Sequence, residues 1–476
     1  MGRRNGSGWD ARLSVDAEGG GLVGHAGAVL LRKCADATGL TAALGQAMPQ
    51  GEGPGWWDRG VVLVSVAVSI VLGATSMSDI ALLAHQASLF GEPPSDSTVH
   101  RSLRAVDEAT LGRIAKAMAA VREHVWQLLD ARPCGFPWLV VAGKLLTGWV
   151  VIDLDATLIT AHSDKDRAAP TFKKGFGFHP LAAWCANTDE SLKMLLRPGN
   201  AGSNTVADHL TVLTDAIAQI PPERRAKILI RVDGAGATHE LLDHLRSLNT
   251  ERHTVRYTVG WTITDADEAA IAALPNTAWG DSLNQDATAR GDAHVAELTG
   301  LSTRTGWPAG QRLIVRRTRP SRRQMAKLTA LERATGWRYA IVATDIERLP
   351  GIGGSHQPQW LDALHRSHAT VEDRVRVDKA MGLANLPSKN WTVNCGWVLA
   401  ANIANDLQAW ARLLGLYDQP DLVHAEPDTL RYRLWHLPAR LTHHARRRWL
   451  HISQTWPWRN AFLTCWQRLC ALPALA

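Results

Sequence analysis

Residues 148–161, GWVVIDLDATLITA, place two acidic side chains inside a short apolar run. The run is rich in Val and Ile and begins with a glycine, a pattern that predicts a buried β-strand. Because side chains alternate along a strand, Asp153 and Asp155 are predicted to lie on the same face. A buried charge is unfavourable by on the order of several kcal/mol unless it is paired. Two interpretations stay open: a divalent cation bound by both carboxylates, or carboxylates held by nearby arginines and backbone donors.

The composition is that of a globular protein with a basic balance. The chain has 476 residues, 46% of them hydrophobic and 20% charged, and a formal net charge of +7. Such a balance favours nucleic acid as a partner. The six cysteines are scattered without a C-x-x-C pair, which predicts free thiols in a reducing cytosol and no zinc site. Residues 1–8, MGRRNGSG, carry no apolar stretch, so no secretory signal is expected.

Residues 1–135 are predicted to form a helical N-terminal domain, with helices near 27–49, 58–74, 78–88 and 107–130. The uncharged run 60–77 approaches the length of a membrane span. We predict a buried helix there, with a membrane anchor as the alternative.

Residues 94–104, PSDSTVHRSLR, predict a capped helix that presents Thr98, Arg101 and Arg104. A short turn followed by such a helix resembles the second half of a helix-turn-helix. Arg101 and Arg104 are therefore DNA-binding candidates, and an ordinary surface helix is the alternative.

Residues 136–262 predict an α/β region. Strands near 148–161, 177–187 and 191–197 precede a helix from Ser203 to about residue 220, then strand 227–233, helix 238–248 and strand 255–261. This is the ribonuclease H-like order, and it places Asp155 and Asp233 at adjacent strand positions. Arg197, in the turn before the first helix, is a candidate for contact with the DNA backbone.

Residues 263–360 interrupt the pattern and predict an inserted, partly β subdomain, with strands near 312–318 and 338–344. Its clustered arginines, Arg316 and Arg317 among them, predict a basic DNA-binding face, and a solvated charge run is the alternative.

Residues 361–420 are predicted to be helical again. His365, His368, Glu372 and Lys379 are spaced three, four and seven apart, so they are expected to share one helix face. A carboxylate among His and Lys side chains suits a metal ligand beside phosphate-binding groups, whereas an exposed face with salt bridges is the alternative.

Residues 421–476 are predicted to form a helical basic segment. No acidic residue follows Asp428, and arginines, including Arg446, Arg447 and Arg448, alternate with tryptophans. This pattern is typical of contact with a phosphate backbone and unstacked bases, although the tryptophans could equally belong to a core.

Three motifs together resemble the DDE transposases of bacterial insertion sequences, in the branch with a β-rich insertion before the catalytic glutamate. Asp155-Ala-Thr157 resembles the first motif of that branch, and Val232-Asp233-Gly234 resembles the second. Glu372, followed after six residues by Lys379, resembles the third, Tyr-x2-Arg-x3-Glu-x6-Lys. The Tyr and Arg of this signature fall on His365 and His368, which is a departure from it. The resemblance covers residues 60–450.

The resemblance implies a ribonuclease H-like catalytic core and a site with two Mg²⁺ or Mn²⁺ ions. Asp155, Asp233 and Glu372 are then the catalytic metal ligands, with Asp153 as a possible further ligand. Hard cations of this kind prefer carboxylate oxygens. Lys379, His365 and His368, with Arg366 as a substitute for the missing arginine, are expected to hold the terminal phosphates.

The function that the resemblance implies is cut-and-paste transposition: binding of terminal inverted repeats, hydrolysis of the ends and strand transfer. The expected partners are double-stranded DNA and a second copy of the chain when two ends are paired. The expected location is the bacterial cytoplasm at the nucleoid. The alternatives are a domesticated, non-catalytic DNA-binding protein and a nuclease of the same fold.

Overall fold

The computed structural model describes residues 19–51, 55–202, 205–302 and 306–473, together with Ser14 and Asp16. The stretch 1–8 and Ser203, for which predictions are made above, lie outside these residues.

Residues 28–130 form helices, residues 140–195 form strands, and the two kinds of element are interspersed from residue 206 onward. The strands are β1 Leu22–Val23, β2 Val140–Val141, β3 Lys144–Leu145, β4 Val150–Ala156, β5 Ile159–Thr160, β6 Ala169–Pro170, β7 Phe176–Phe178, β8 Leu181–Cys185, β9 Glu190–Leu195, β10 Lys227–Val232, β11 Thr254–Trp261, β12 Gly280–Leu283, β13 Ala289–Glu297, β14 Arg312–Thr318, β15 Arg338–Thr344, β16 Ala439–His444 and β17 Arg447–Ile452. The α-helices are α1 Ala28–Ala37, α2 Leu40–Ala47, α3 Arg59–Val71, α4 Ala87–Phe90, α5 Asp96–Arg104, α6 Glu108–Asp130, α7 Val206–Gln219, α8 His239–Ser247, α9 Asp265–Ala273, α10 Ala330–Thr335, α11 Pro358–Arg366, α12 Thr370–Asp378, α13 Trp391–Gly415, α14 Pro420–Val423, α15 Pro427–Leu430 and α16 Arg459–Ala471.

The largest sheet within the described residues has nine strands, in the order β12-β13-β14-β15-β11-β10-β4-β8-β9. Strands β4, β10 and β11 are parallel, whereas β8 and β9 continue from β4 as an antiparallel meander. The five strands β9-β8-β4-β10-β11 have the order of a ribonuclease H-like sheet, which confirms the predicted fold class. Strand β4 lies in the middle of this order and is buried on both sides, which explains its nearly continuous apolar sequence.

The predicted insertion extends the central sheet. Strand β15 pairs antiparallel with β11, and β14, β13 and β12 follow it outward. Residues 263–360 therefore contribute strands to the same sheet as the core, where the sequence pattern predicted a subdomain of its own.

Helix α11 covers one face of this sheet. Its side chains Trp360, Leu361 and Leu364 are fully buried against Val151 of β4 and Leu229 of β10. Each of the three helix side chains contributes roughly 2 kcal/mol by removing apolar surface from water. Because Asp153 and Asp155 follow Val151 at steps of two, they lie on this same face.

The N-terminal helices are joined to the core by a buried polar network. Arg122 of α6 donates to Glu190 of β9 at 2.8 Å and to Asp406 of α13 at 2.6 Å. Trp126 and Trp410 donate to the two oxygens of Glu190, each at 2.7 Å. The helical N-terminal region thus packs directly on the edge of the catalytic sheet.

Two predicted elements differ in detail. The C-terminal segment, expected to be helical, contains the hairpin β16–β17, which also pairs with β1, before it ends in α16. The run 60–77 forms the buried helix α3 and the start of a 3-10 helix, Met77–Gln86. Among the described residues, no helix combines the length and the apolar character that crossing a membrane requires.

Candidate active site

Asp155 and Asp233 lie side by side at the carboxyl ends of β4 and β10. The parallel register pairs Arg231 with Asp153 and Val232 with Leu154, so the next residue on β10, Asp233, comes opposite Asp155. Asp155 is half-buried and accepts a hydrogen bond from the Ala156 backbone amide at 2.7 Å, whereas Asp233 is exposed. The two residues are thus neighbours although they are far apart in the sequence.

Glu372 approaches this pair from helix α12. It lies in the first turn of α12, which packs against β4, and its side chain is exposed. Burial, followed by the negative charge of Asp233, raises the pKa of Asp155 to about 6, and Glu372 adds a smaller effect in the same direction. The three carboxylates therefore face a common region.

These carboxylates do not converge on a single point. Among the residues that the structure describes, no group of three or more His, Cys, Asp or Glu side chains is close enough to hold a metal ion. The donor chemistry nevertheless fits Mg²⁺ or Mn²⁺, since the three acidic side chains supply only oxygen atoms. Asp155, Asp233 and Glu372 are the residues that could hold such ions.

Asp153 occupies a different environment from Asp155. Its two oxygens accept from Arg231 at 2.6 and 2.8 Å, and it also pairs with His368 at 3.0 Å and with Arg374. Although burial acts to raise its pKa, these cationic partners hold the pKa of Asp153 well below its usual range. Of the two interpretations that the sequence leaves open, carboxylates held by nearby arginines therefore describes Asp153, and it does not describe Asp155.

The sequence pattern does not predict the two arginines that enclose Asp153, Arg231 and Arg374. A signal for Arg231 was present, because KILIRV places one charge in a buried strand next to the strand that carries Asp153. No comparable signal marked Arg374, which reaches Asp153 only because α12 packs against β4.

The third motif is not one continuous helix face. Helix α11 ends at Arg366, a 3-10 turn spans Ser367–Ala369, and α12 begins at Thr370. This break corrects the prediction of a single helix that carries His365, His368, Glu372 and Lys379 on one face. It turns His368 toward Asp153 and leaves Glu372 exposed.

Two further residues expected to bind phosphate, His365 and Arg366, are engaged inside the protein. His365 contacts Thr258 Oγ1 at 3.1 Å. Burial, followed by the neighbouring side chains of His368, Arg231 and Arg316, lowers its pKa to about 3. His365 is therefore neutral at neutral pH. Arg366 donates to Asp362 at 2.8 Å and to the Leu283 carbonyl.

Arg197 is also internal. Only 3% of its surface is exposed, and it donates to the His179 carbonyl and to Asp208, both at 2.9 Å. This placement differs from the expected contact with the DNA backbone, because the guanidinium instead stabilises the turn before α7.

Lys379 begins a π-helical segment, Lys379–Leu383, and is half-buried. Burial, followed by the charge of Lys173, lowers its pKa from the usual range. Among the expected phosphate-binding residues, Lys379 thus keeps part of its side chain accessible to solvent.

The DNA-binding candidates outside the core fall into two groups. Arg101 and Arg104 are exposed on α5, whose predicted cap is Ser95 in the structure. Arg446, Arg447 and Arg448 are exposed at the tip of the β16–β17 hairpin. By contrast, Arg316 is half-buried and pairs with Asp362 at 3.5 Å, and Arg317 stacks between Trp279 and Trp337.

The order of the sheet, with acidic residues at the ends of β4 and β10, defines a ribonuclease H-like protein. The family model described as transposase DDE domain group 1 matches residues 6–474. The chain belongs to this family of DDE transposases.

Among solved structures, the chain has a match to a cryo-EM structure of a piggyBac transposase synaptic complex with hairpin DNA. It has a TM-score of 0.40 and 10% sequence identity, and the match covers 86% of this chain and 79% of that chain. No curated protein matches the sequence.

Proposed function

We propose that this DDE transposase binds the terminal inverted repeats of its own element, cuts the ends and joins them to target DNA. The observation that supports this most is the register of β4 and β10, because it sets Asp233 opposite Asp155 beside the helix that carries Glu372. Family membership supports the same conclusion. An origin in a bacterial insertion sequence and a location at the nucleoid belong to this proposal.

In the proposed site, Asp155, Asp233 and Glu372 would hold two Mg²⁺ or Mn²⁺ ions. When bound, such ions would supply activation of an oxygen nucleophile and stabilisation of the leaving 3′ oxygen of the scissile phosphodiester. Lys379 contributes a positive charge to the phosphate beside the carboxylates. Asp153, Arg231 and Arg374 fix the end of β4, so that Asp155 is presented from a rigid strand.

Double-stranded DNA is the proposed substrate, and two copies of the chain are needed to pair the two ends of an element. The test is incubation of DNA that carries the element's ends with the purified protein. We expect cleavage at the ends with Mg²⁺ or Mn²⁺, no cleavage after addition of EDTA, and joining of pre-cut ends to a target plasmid.

Each other outcome of that test identifies an alternative. Cleavage without joining of pre-cut ends would indicate a nuclease of the same fold. Binding of the ends without cleavage under any divalent metal would indicate a domesticated DNA-binding protein. Failure to bind the ends at all would refute the proposal.

The β16–β17 hairpin is proposed to contact the phosphate backbone of the DNA. Its turn residues, Ala445 and Arg446, both have positive φ, 46° and 64°, which is the geometry of a two-residue hairpin turn that follows the strand twist. Changing Arg446, Arg447 and Arg448 together to Gln should flatten the slope of log affinity against log salt, by about 0.9 for each phosphate that the variant no longer neutralises.

A matched control for this measurement is Arg252→Gln. Arg252 is exposed but precedes β11, at the opposite end of the parallel strands from the carboxylates. An unchanged slope in the triple variant would show that the hairpin arginines do not bind phosphates.

A further inference from the structure

A small three-stranded sheet, formed by β5, β6 and β7, projects directly from the catalytic strand β4. Its strand order is β5-β7-β6, and β5 begins three residues after the last residue of β4. Gly177 lies so close to β5 that a Cβ atom would come within 2.0 Å of the Ile159 carbonyl oxygen. The β5–β7 sheet is therefore tightly packed at its base and connected without a linker to Asp155.

The tip of this sheet presents an aromatic side chain on a defined turn. The Thr171 amide donates to the Gly175 carbonyl at 2.8 Å, and the Lys174 amide donates to the Thr171 carbonyl at 2.9 Å. Phe172, within the turn, is 68% exposed, and Phe176, which follows it, is 38% exposed. The Phe172 ring packs against the His179 ring, with centroids 5.4 Å apart, and Lys173 Nζ lies 5.6 Å from its centroid. One side of the ring is therefore held in place while most of its surface stays in water.

The β5–β7 sheet is fastened to the segment that follows the catalytic helix. The Asp166 backbone amide donates to the Lys389 carbonyl at 2.9 Å, and Lys165 donates to the Leu386 carbonyl. Arg167 lies over the ring of Trp391 at 4.7 Å. These contacts place the sheet against the chain between the Glu372 helix α12 and α13.

The tip is also basic. Lys173 and Lys174 are exposed within the turn, and Lys173 is close enough to Lys379 for its charge to lower the Lys379 pKa, after the larger effect of burial. Two lysines of the turn thus flank the exposed phenylalanine. A hydrophobic protein partner would not require this charge, whereas the phosphates and bases of DNA match both features.

We propose that Phe172 stacks on an unpaired base at the DNA end held beside the carboxylates, while Lys173 and Lys174 contact the flanking phosphates. The inference rests on the proposed function, since it assigns a role to these residues in handling the same DNA end. An aromatic side chain at such a place can separate a base from its neighbour, because stacking on the ring replaces part of the base stacking that is broken.

The test compares two DNAs in the absence of divalent metal, so that binding is measured without cleavage. One is a duplex that carries the element's end fully paired, and the other is the same duplex with mismatched terminal pairs. We expect wild-type protein to bind the unpaired end more tightly, by roughly 5- to 100-fold, as stacking of a base on an aromatic ring would give. Phe172→Ala should abolish this ratio, and Phe172→Trp should retain it.

Two controls test whether the preference for the unpaired end depends on the turn lysines, or on the loss of any exposed phenylalanine, instead of on base stacking by Phe172. Lys173→Gln combined with Lys174→Gln should weaken binding to both DNAs alike and leave the ratio unchanged. Phe90→Ala removes another exposed phenylalanine, 47% exposed on α4, and should behave as wild type.

The outcomes distinguish this inference from the proposed function. If wild type prefers the unpaired end and Phe172→Ala keeps that preference, the stacking role is refuted while the transposase proposal stands. The same holds if wild type binds both DNAs equally well. If wild type binds neither DNA, the proposed function itself is refuted.

Discussion

Replacing Asp155, Asp233 or Glu372 by the corresponding amide is expected to abolish metal-dependent DNA cleavage while leaving the protein folded. Each amide keeps the shape of the side chain but removes the negative charge that a divalent cation requires. We expect cleavage rates to fall by at least about a thousandfold, which corresponds to about 4 kcal/mol of transition-state stabilisation. Cleavage of end-containing DNA in Mg²⁺ is the measurement.

The neighbouring acidic residue on α12 supplies the matched control. Asp373 is exposed like Glu372 and pairs with Arg376 at 3.1 Å, so the Asp373→Asn variant should cleave DNA as wild type does.

The thermal unfolding midpoint of metal-free Asp155→Asn should equal or exceed that of wild type, because the substitution removes repulsion from Asp233. Cleavage at the wild-type rate by any of the three amide variants would refute the assignment of that residue.

Asp153→Ala is expected to destabilise the metal-free protein by about 3–5 kcal/mol, because it leaves buried guanidinium groups without their carboxylate. Arg231 and Asp153 are 2% and 0% exposed, and the bidentate pair joins β10 to β4 beneath α11. Since its cationic partners keep the Asp153 pKa below its usual range, this contribution is fully present at neutral pH. It disappears only as the pH falls through the depressed pKa of Asp153.

Urea unfolding in EDTA measures this effect without any contribution from bound metal. The double variant Asp153→Ala, Arg231→Leu should lose less free energy of unfolding than the two single variants lose in sum, because the unpaired charge is removed together with its partner. The opposite result would be equal stability of Asp153→Ala and wild type in EDTA, with lower stability of the variant when divalent metal is present. That result would show that Asp153 is a metal ligand.

The contrast between these two aspartates shows where the sequence pattern reaches its limit. Alternation along β4 correctly places Asp153 and Asp155 on one face, but it assigns them no different roles. The roles separate because Arg231 lies opposite Asp153 in the register with β10, whereas Asp233 follows opposite Asp155. Register is a long-range property that the sequence of one strand does not contain.

The basic residues show the same limit. Exposure of Arg101, Arg104 and the hairpin arginines agrees with what their local patterns predict. Arg197 and Arg366 carry equally plausible local patterns, but Asp208 and Asp362 engage them inside the fold. Local sequence therefore does not distinguish an arginine that binds DNA from one that pairs with an internal carboxylate.

The sequence by itself determined the ribonuclease H-like order, the buried strand β4 and the family to which the chain belongs, because periodicity, turn residues and motif spacing are local properties. Only the tertiary structure decided that the insertion continues the central sheet, that the third motif breaks at residues 367–369, and that the β5–β7 sheet exposes Phe172 at its tip. Each of these depends on which distant segments pack together, and packing is what sets apart Asp155, beside Asp233, from Asp153, which is enclosed by arginines.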